Sequence, residues 1–472
     1  MRKFRQLGAL ALLISAVAAH SCIRTDYTIG SSSVPATHDI SIQTVEIDLP
    51  VGLKLADSLQ TAVYSSAIVG TLDSEGFGKI TIGTALSITP IYDSIRWGVN
   101  PVAKEMFVTL NGGTDFCLDE SQKSIPQNLS VYRLNFPLDS NTVYCNSVTP
   151  EKYGREKINR GTALYMGQDT LVLYFKNEFA EQLFSVSEAA LDSTELFLND
   201  FYGIYLACDE TEPENGGRLN NFDLSSSYLT FTFTSTNGNG VRRDTTVYFS
   251  LGNPYGVLSI ESGNRQWEAE DAVDGLLYQA YNGIKPYIDA DKLRERLDKW
   301  MELEGISNGD ILISNASMEF PFEYDGNSDE IALYPQNLYP HQRINSGGLM
   351  VYTPISEIYS DIYNRGGINR SLNHYKPDVA LYLQRLIRLD KGDIPDAYDI
   401  YMMPTITYTS SSSSSSMDYM SYYYYYYYSY YPTSSSSTTY YYADYKNYAQ
   451  GRFNGTRALR RPVLRITYTV LK

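Results

Sequence analysis

The chain has 472 residues, 43% of them hydrophobic, which is enough to build a substantial core and excludes global disorder. Only 19% are charged and the formal net charge is −16, so the clustered Lys and Arg that nucleic-acid binding requires are missing and no nucleic-acid partner is expected. Tyrosine dominates the aromatics, 43 residues against 17 Phe and 3 Trp, and together with Ser, Thr and Val it favours strands with one wet face.

In chain order, the first element is "MRKFRQLGALALLISAVAAHSC". Arg2, Lys3 and Arg5 form a basic head, an apolar run follows from Leu7 to Ala19, and small residues lead into Cys22. The apolar run is too short to span a bilayer, so residues 1–21 read as a lipoprotein signal peptide. Cys22 is then the lipidated residue, although Ala18 stands where Leu is commoner in such signals. Three acyl chains exceed the two needed for stable anchoring. Removing the three basic residues takes the net charge from −16 to about −19, a domain that an anionic membrane repels. The membrane is therefore expected as a partner only through the N-terminal lipid, in the outer membrane, with the leaflet left open. Residues 22–39 read as the lipidated Cys and a flexible Gly/Ser/Pro-bearing tether.

Alternation begins at "ISIQTVEIDL" (Ile40 to Leu49), whose apolar face switches near its middle. Lys79 to Thr89, Lys104 to Gly113 and Thr170 to Phe175 read as further strands. Tyr228 to Thr236 and Thr246 to Leu251 form a hairpin pair around the Asn-Gly turns of "NGNGVRRD". Helices are few. Asp289 to Gly305 places Leu293, Leu297, Trp300 and Met301 on one face, with an Asp start and a Gly stop. Lys376 to Gly392 repeats the pattern with Pro377 in its first turn, and a short helix is expected over Asn177 to Phe184. The chain closes on a strand from Val463 to Val470.

These elements predict a mainly β fold, two packed β-sandwich (jelly-roll-like) units with a few inserted helices. The expected division is a first unit over 40–208, a second with helices over 209–409, a Ser/Tyr low-complexity loop over 410–450, and 451–472 as the closing strand of the second unit. The loop carries seven consecutive tyrosines, Tyr422 to Tyr428, between serine tracts. Such a run has no face to bury consistently, so the loop is expected outside the core.

The order of several segments carries a resemblance. "YSSAIVGTLDSEGFGKITIGTALSITP", "NLSVYRL", "LFLNDFYGIYLAC", "LYQAYNGIKPYIDADKLRERL", "ILISNASMEFPFE", "IALYP" and "RPVLRITYT" follow one another after the tether. In this the chain resembles a Bacteroidota lipoprotein family, the domain of unknown function 4270. The resemblance implies an envelope location and a β fold and transfers no catalytic residue. A more distant likeness is to the jelly-roll sandwiches of extracellular polysaccharide-handling proteins, at the level of fold alone. The Ser/Tyr tract departs from the family.

Chemistry is sparse. After Cys22 the histidines are His38, His341 and His374, with no metal-ligand spacing, and the last two read as loop residues. No nucleophile elbow and no phosphate-binding Gly-rich loop is present. Neither a metal nor a cofactor is expected, and no catalytic residue is assigned. Cys117 and Cys145 could pair in an oxidising compartment, or remain buried thiols like Cys208. The acidic groups Asp73/Glu75 and Asp209/Glu210/Glu212/Glu214 read first as solvated turns. Asp-Ser/Thr triplets at Asp57, Asp93, Asp169, Asp192 and Asp244 look like O-glycosylation acceptors of exported proteins in this bacterial group, or like ordinary strand starts. Trp97 and Trp267 are the aromatic candidates for ligand contact, with core packing the competing role. The expected function is a non-enzymatic binding or scaffold lipoprotein of the cell envelope, its partner a glycan or another envelope protein. The alternatives are a carboxylate-dependent envelope glycoside hydrolase and a subunit of a surface assembly that donates its last strand.

Overall fold

The structure, a computed structural model, describes residues 42–56, 65–93, 95–118, 120–138, 153–208, 216–262, 267–326, 328–346, 349–360, 362–410, 438–444 and 447–470. The signal peptide, Cys22, the tether with His38 and the tract over 411–437 lie outside the described residues. Where described, the chain is mainly β, with several sheets and few helices.

The chain begins with β1 (Ile42–Asp48) and β2 (Val51–Leu55), then builds a large sheet. Its strands are β3 (Ser66–Ser74), β4 (Gly78–Pro90), β5 (Val99–Gly112), β6 (Phe116–Cys117), β7 (Gln127–Leu134), β8 (Tyr153–Lys157), β9 (Ala163–Tyr165), β10 (Thr170–Tyr174), β11 (Ile204–Cys208), β12 (Gly216–Thr236) and β13 (Arg242–Ser262). Three short helices, α1 (Asn177–Glu181), α2 (Glu188–Leu191) and α3 (Thr194–Asp200), lie between β10 and β11. β12 and β13 are each 21 residues long and serve two neighbourhoods. The Tyr228–Thr236 half of β12 pairs with β13 and β5, and the Gly216–Asp223 half with β3. The register shifts between Asp223 and Tyr228, and in β13 between Leu251 and Gly256. Such shifts bend strands and let one strand turn a corner between sheet layers. Gly70 and Gly217 allow β3 and β12 to meet: both take positive φ, and a Cβ on Gly70 would strike the Arg218 carbonyl.

The folded-over sheet encloses one hydrophobic core, with Phe222, Leu229, Phe231, Phe233 and Phe249 among its most buried side chains. Among the buried polar groups of this unit is a cation. Arg218 is 1% exposed and donates to Asn220 Oδ1 (2.6 Å), to the Tyr165 carbonyl (3.0 Å) and to the Lys123 carbonyl, with Asp115 4.0 Å away. A buried cation survives only with such satisfaction.

The return path builds a second core. It contains β14 (Leu276–Gln279), β15 (Ile284–Ile288), helix α4 (Ala290–Glu304), β16 (Ile311–Pro321), helix α5 (Ser328–Ala332), β17 (Tyr339–Ser346), β18 (Leu349–Pro354), β19 (His374–Tyr375), helix α6 (Ala380–Arg388), β20 (Ile400–Met403), β21 (Thr405–Ser410), β22 (Thr438–Ala443), β23 (Gln450–Phe453) and β24 (Val463–Val470). A four-stranded sheet β1-β24-β16-β19 and a five-stranded sheet β18-β17-β20-β15-β2 flank α4 and α6. α4 matches its sequence pattern: Asp289 caps Lys292 N at 3.0 Å, and Gly305 ends the helix at φ 64°. α6 is shorter than Lys376 to Gly392. Pro377, Asp378 and Val379 are used by β16 instead, through Met318 N to the Pro377 carbonyl and Val379 N to the Ala316 carbonyl.

Two boundaries differ from expectation. A division at 208/209 would cut the large sheet, because β12 and β13 carry its centre; conversely β1 and β2, expected in the first unit over 40–208, belong to the second core. The cause is non-local pairing: β1 pairs β24 from Ile42↔Thr469 to Asp48↔Val463, and β2 pairs β15. The chain leaves the second core after β2 and returns beside it, since Leu53 and Ala269 exchange both backbone bonds (2.7 and 3.0 Å). The first unit is thus an insertion. The expected loop over 410–450 is also partly structured. β22 pairs β21 from Thr405↔Ala443 to Ser410↔Thr438, and β23 pairs β14. β24 is paired on both sides within its own chain, by β1 and β16.

Candidate functional site

Where β16 ends, the chain runs on as "FEYDG" before α5, beside the end of β23. Together these leave a cleft of about 260 Å³. Phe320 and Phe322 point inside, both 0% exposed, and past the end of β16 the residues Glu323, Tyr324 and Asp325 are exposed. Three rings make the floor: Phe322 lies 5.1 Å from Tyr334, and Tyr334 stands edge-on to Phe453 at 5.9 Å. Tyr334 donates to the Arg452 carbonyl at 2.8 Å, and burial pushes its phenol up to about 12, so it remains a neutral donor at physiological pH. Glu323, Asp325, Glu330, Arg452 and Asn454 make the rim. Asn454 Nδ2 donates to Glu323 Oε1 at 2.9 Å, which orients that carboxylate, and Asn454 N holds the Pro321 carbonyl. Tyr324 offers the exposed ring, 43% accessible. Arg452 is fixed from the other core: its guanidinium lies 4.9 Å over Phe77 and donates to the Glu75 carbonyl at 2.7 Å.

This arrangement matches the chemistry of a polyhydroxylated ligand. Aromatic faces take apolar C–H surface, while planar carboxylate, amide and guanidinium groups meet hydroxyls. The signal was legible as the aromatic–acid run Phe322-Glu323-Tyr324-Asp325, but sequence reasoning used only Phe322-Glu323, as the end of a family marker, and did not single out Tyr324 and Asp325. Its partner Arg452 is 120 residues or more away in the chain and joins through β23–β14 pairing.

The residues singled out from sequence are placed elsewhere. Trp97 is 5% exposed, packs against Phe233 (5.3 Å) and Phe184 (5.4 Å), and donates to the Val186 carbonyl at 3.1 Å; it is a core residue and touches no ligand surface. Trp267 is half-buried against the second core. His341 and His374 lie on strands β17 and β19 in different sheets, not in loops. His341 is fully buried with Nδ1 2.9 Å from the Tyr339 carbonyl, and His374 Nδ1 sits 3.0 Å from Glu319 Oε1. Cys117 is half-buried in β6 and Cys208 buried in β11; Cys145, and with it the suggested Cys117–Cys145 bridge, lies outside the described residues. Glu75 sits in the β3–β4 turn at the junction of the cores, while Asp209, Glu210, Glu212 and Glu214 lie outside the described residues. Of the Asp-Ser/Thr triplets, Thr170 donates its hydroxyl to Asn111, Ser193 caps α3 and Thr245 is exposed on β13; Asp57 and Ser94 are outside the description. Among the described residues no group of three His, Cys, Asp or Glu is placed to hold a metal, and no helix is long and apolar enough to cross a membrane.

Fold and cleft define a class, a mainly β protein that presents an aromatic-floored, carboxylate-rimmed cleft beside the junction of its two cores. No family model, curated protein or solved structure matches the chain.

Proposed function

We propose that the chain is a lipid-anchored cell-envelope protein of the outer membrane, akin to the domain of unknown function 4270 family, whose cleft between Phe322 and Asn454 binds a glycan without turning it over. The observation that carries the reading is the pairing of an exposed ring, Tyr324, with oriented hydrogen-bonding groups over a floor of three buried aromatics. Anchoring rests on the sequence around Cys22: Cys22→Ser should move the protein from the membrane to the soluble fraction and abolish palmitate incorporation. Binding is tested on a glycan array with the mature chain in detergent, followed by calorimetric titration. Tyr324→Ala and Arg452→Ala should each weaken binding about tenfold or more. An array without a bound glycan overturns the reading.

A second reading is favoured by one feature: Glu323, Asp325 and Glu330 rim the same cleft, as the carboxylate pair of a glycoside hydrolase would. Release of reducing ends from the glycan that binds, lost in Glu323→Gln and Glu330→Gln, would establish the hydrolase in place of the binder.

A further inference from the structure

The inserted unit carries a second surface, and its registers define it. Tyr174 of β10 stands opposite Phe107 of β5, Phe107 opposite Thr230 of β12, and Thr230 opposite Tyr248 of β13. One step along, Val172, Thr109, Tyr228 and Ser250 form the parallel row. Directly opposed residues and residues two apart share a face, so both rows lie on the same side of four adjacent strands. The alternate residues Leu171, Leu173, Met106, Val108, Leu229, Phe231 and Phe249 fill the core beneath. The rows therefore face outward, and their large side chains are exposed: Tyr174 46%, Val172 41%, Tyr248 39% and Tyr228 38%.

The rings are braced against each other. Tyr174 lies 5.2 Å from Phe107, and Tyr228 meets Tyr248 edge-on at 5.9 Å. Such a strip loses little freedom when a ligand lands on it. Thr230 is 5% exposed between Phe107 and Tyr248, and its hydroxyl has no hydrogen-bond partner. The hydroxyl is enclosed by its neighbours, so the contact surface of the strip is made by the rings around it. Both rows are free of charge. Beyond them Glu105 stands with Thr232 and Thr246, and Lys104 is neutralised by Asp244 at 2.5 Å; on the other side Thr170 donates to Asn111 Oδ1 at 2.9 Å. Four strands at roughly 4.8 Å spacing give a strip about 14 Å long, the scale of an extended chain of sugar rings.

We propose that this outer face of β10-β5-β12-β13 is a docking platform for a neutral polysaccharide chain. The C–H faces of successive sugars lie on Tyr174, Phe107, Tyr228 and Tyr248. The platform goes beyond the cleft, which is built on the other core and holds one short stretch of glycan.

The test is native affinity electrophoresis of the mature chain in detergent, in gels containing galactomannan, arabinoxylan, mixed-linkage β-glucan or pullulan, with a polyuronate as the charged control. At least one neutral polymer should retard the protein while the polyuronate does not. The double variant Tyr228→Ala/Tyr248→Ala should weaken retardation about tenfold or more. Tyr174→Ala, on the edge strand and safest for folding, should weaken it in the same direction with an unchanged circular dichroism spectrum. Arg452→Ala weakens the cleft alone, so a further loss of retardation when the tyrosine substitutions are made on the Arg452→Ala background belongs to the platform, which separates failure of the cleft from failure of the platform. Retardation by no neutral polymer, or retardation that the tyrosine variants keep, overturns the proposal. So does a wild-type dimer in analytical ultracentrifugation that the tyrosine variants dissolve, because the face would then be a contact between copies.

Discussion

His341 shows how one side chain sets a pH dependence. Burial lowers its pKa from 6.5 to about 4, opposed only weakly by the Tyr339 carbonyl at Nδ1. Nδ1–H donates to that carbonyl, so an added proton must go to Nε2, which is buried without a partner. The unfolded chain takes the proton first, near pH 6.5. Stability that is fully present above pH 6.5 is therefore lost as pH falls toward 4, and the loss levels off below that. A shift of this size corresponds to about 3 kcal/mol. Carboxylates titrate in the same window, so the measurement is a difference: chemical denaturation of wild type and His341→Gln between pH 7.5 and 4. The variant should show a shallower decline by about that amount, and parallel curves would contradict the assignment. Lys285 makes the complementary case. It is 0% exposed, its pKa is held well below the usual lysine range by burial, and its ammonium donates to the carbonyls of Gln279, Tyr281 and Gly283. Such residues look like ordinary surface lysines and histidines in a sequence, because burial is decided by partners far along the chain.

At the scale of elements, local pattern was a good guide wherever the element is satisfied locally. The α4 helix has its Asp cap, its apolar face and its Gly stop within 17 residues, and all three are where periodicity puts them. The β12–β13 hairpin follows its Asn-Gly turn, and β24 follows its alternation. Local pattern failed where a distant strand competes. α6 loses its expected first turn to β16. Trp97 lies in a segment without regular structure, as its Gly-flanked setting suggests, and takes the core-packing role weighed for it, against Phe184, Phe231 and Phe233. The cleft was half legible, as Phe322 to Asp325, while Arg452 enters through pairing that no local window contains. The β21–β22 hairpin makes a prediction at this scale. Tyr441 faces inward, edge-on to Tyr359 at 5.4 Å with Arg365 5.1 Å over its ring, and Ala443 is 0% exposed, whereas Tyr408, Tyr440 and Tyr442 point outward. The hairpin is thus held from its base by contacts independent of the Ser/Tyr tract. Replacing residues 411–437 by Asn-Gly should leave the melting temperature within roughly 2 °C, since only loop-closure entropy changes and a two-residue turn suits the Ser410↔Thr438 pair. A calorimetric scan showing a much larger fall would mean that the tract contributes to the fold.

At the scale of the whole molecule, one core is a host and the other its guest. β1 and β2 enter the host, the chain departs after Ala56, and it returns at Ala269 directly opposite Leu53. Neighbouring exit and return points are what lets an inserted unit fold without distorting its host. The two are not independent, however. Ala280, Tyr281 and Tyr448 of the host pack into the guest's core, Gln450 Nε2 donates to Ser74 Oγ at 2.9 Å, and Arg452 donates to the Glu75 carbonyl. Replacing residues 57–266 by a two-residue turn would close Leu53–Ala56 onto Trp267–Ala269 as a hairpin and keep the four- and five-stranded sheets with α4 and α6 intact. The shortened chain should still unfold cooperatively, but at a lower temperature than the full chain, because those contacts are exposed or lost. Adding back Tyr281→Gln and Tyr448→Gln, which suit the new surface, should improve its solubility without raising that temperature. Arg452 also loses its brace, so glycan binding in the cleft should weaken while Tyr324 and the aromatic floor remain. Loss of the cooperative transition would mean that host and guest form a single folding unit despite their separate cores.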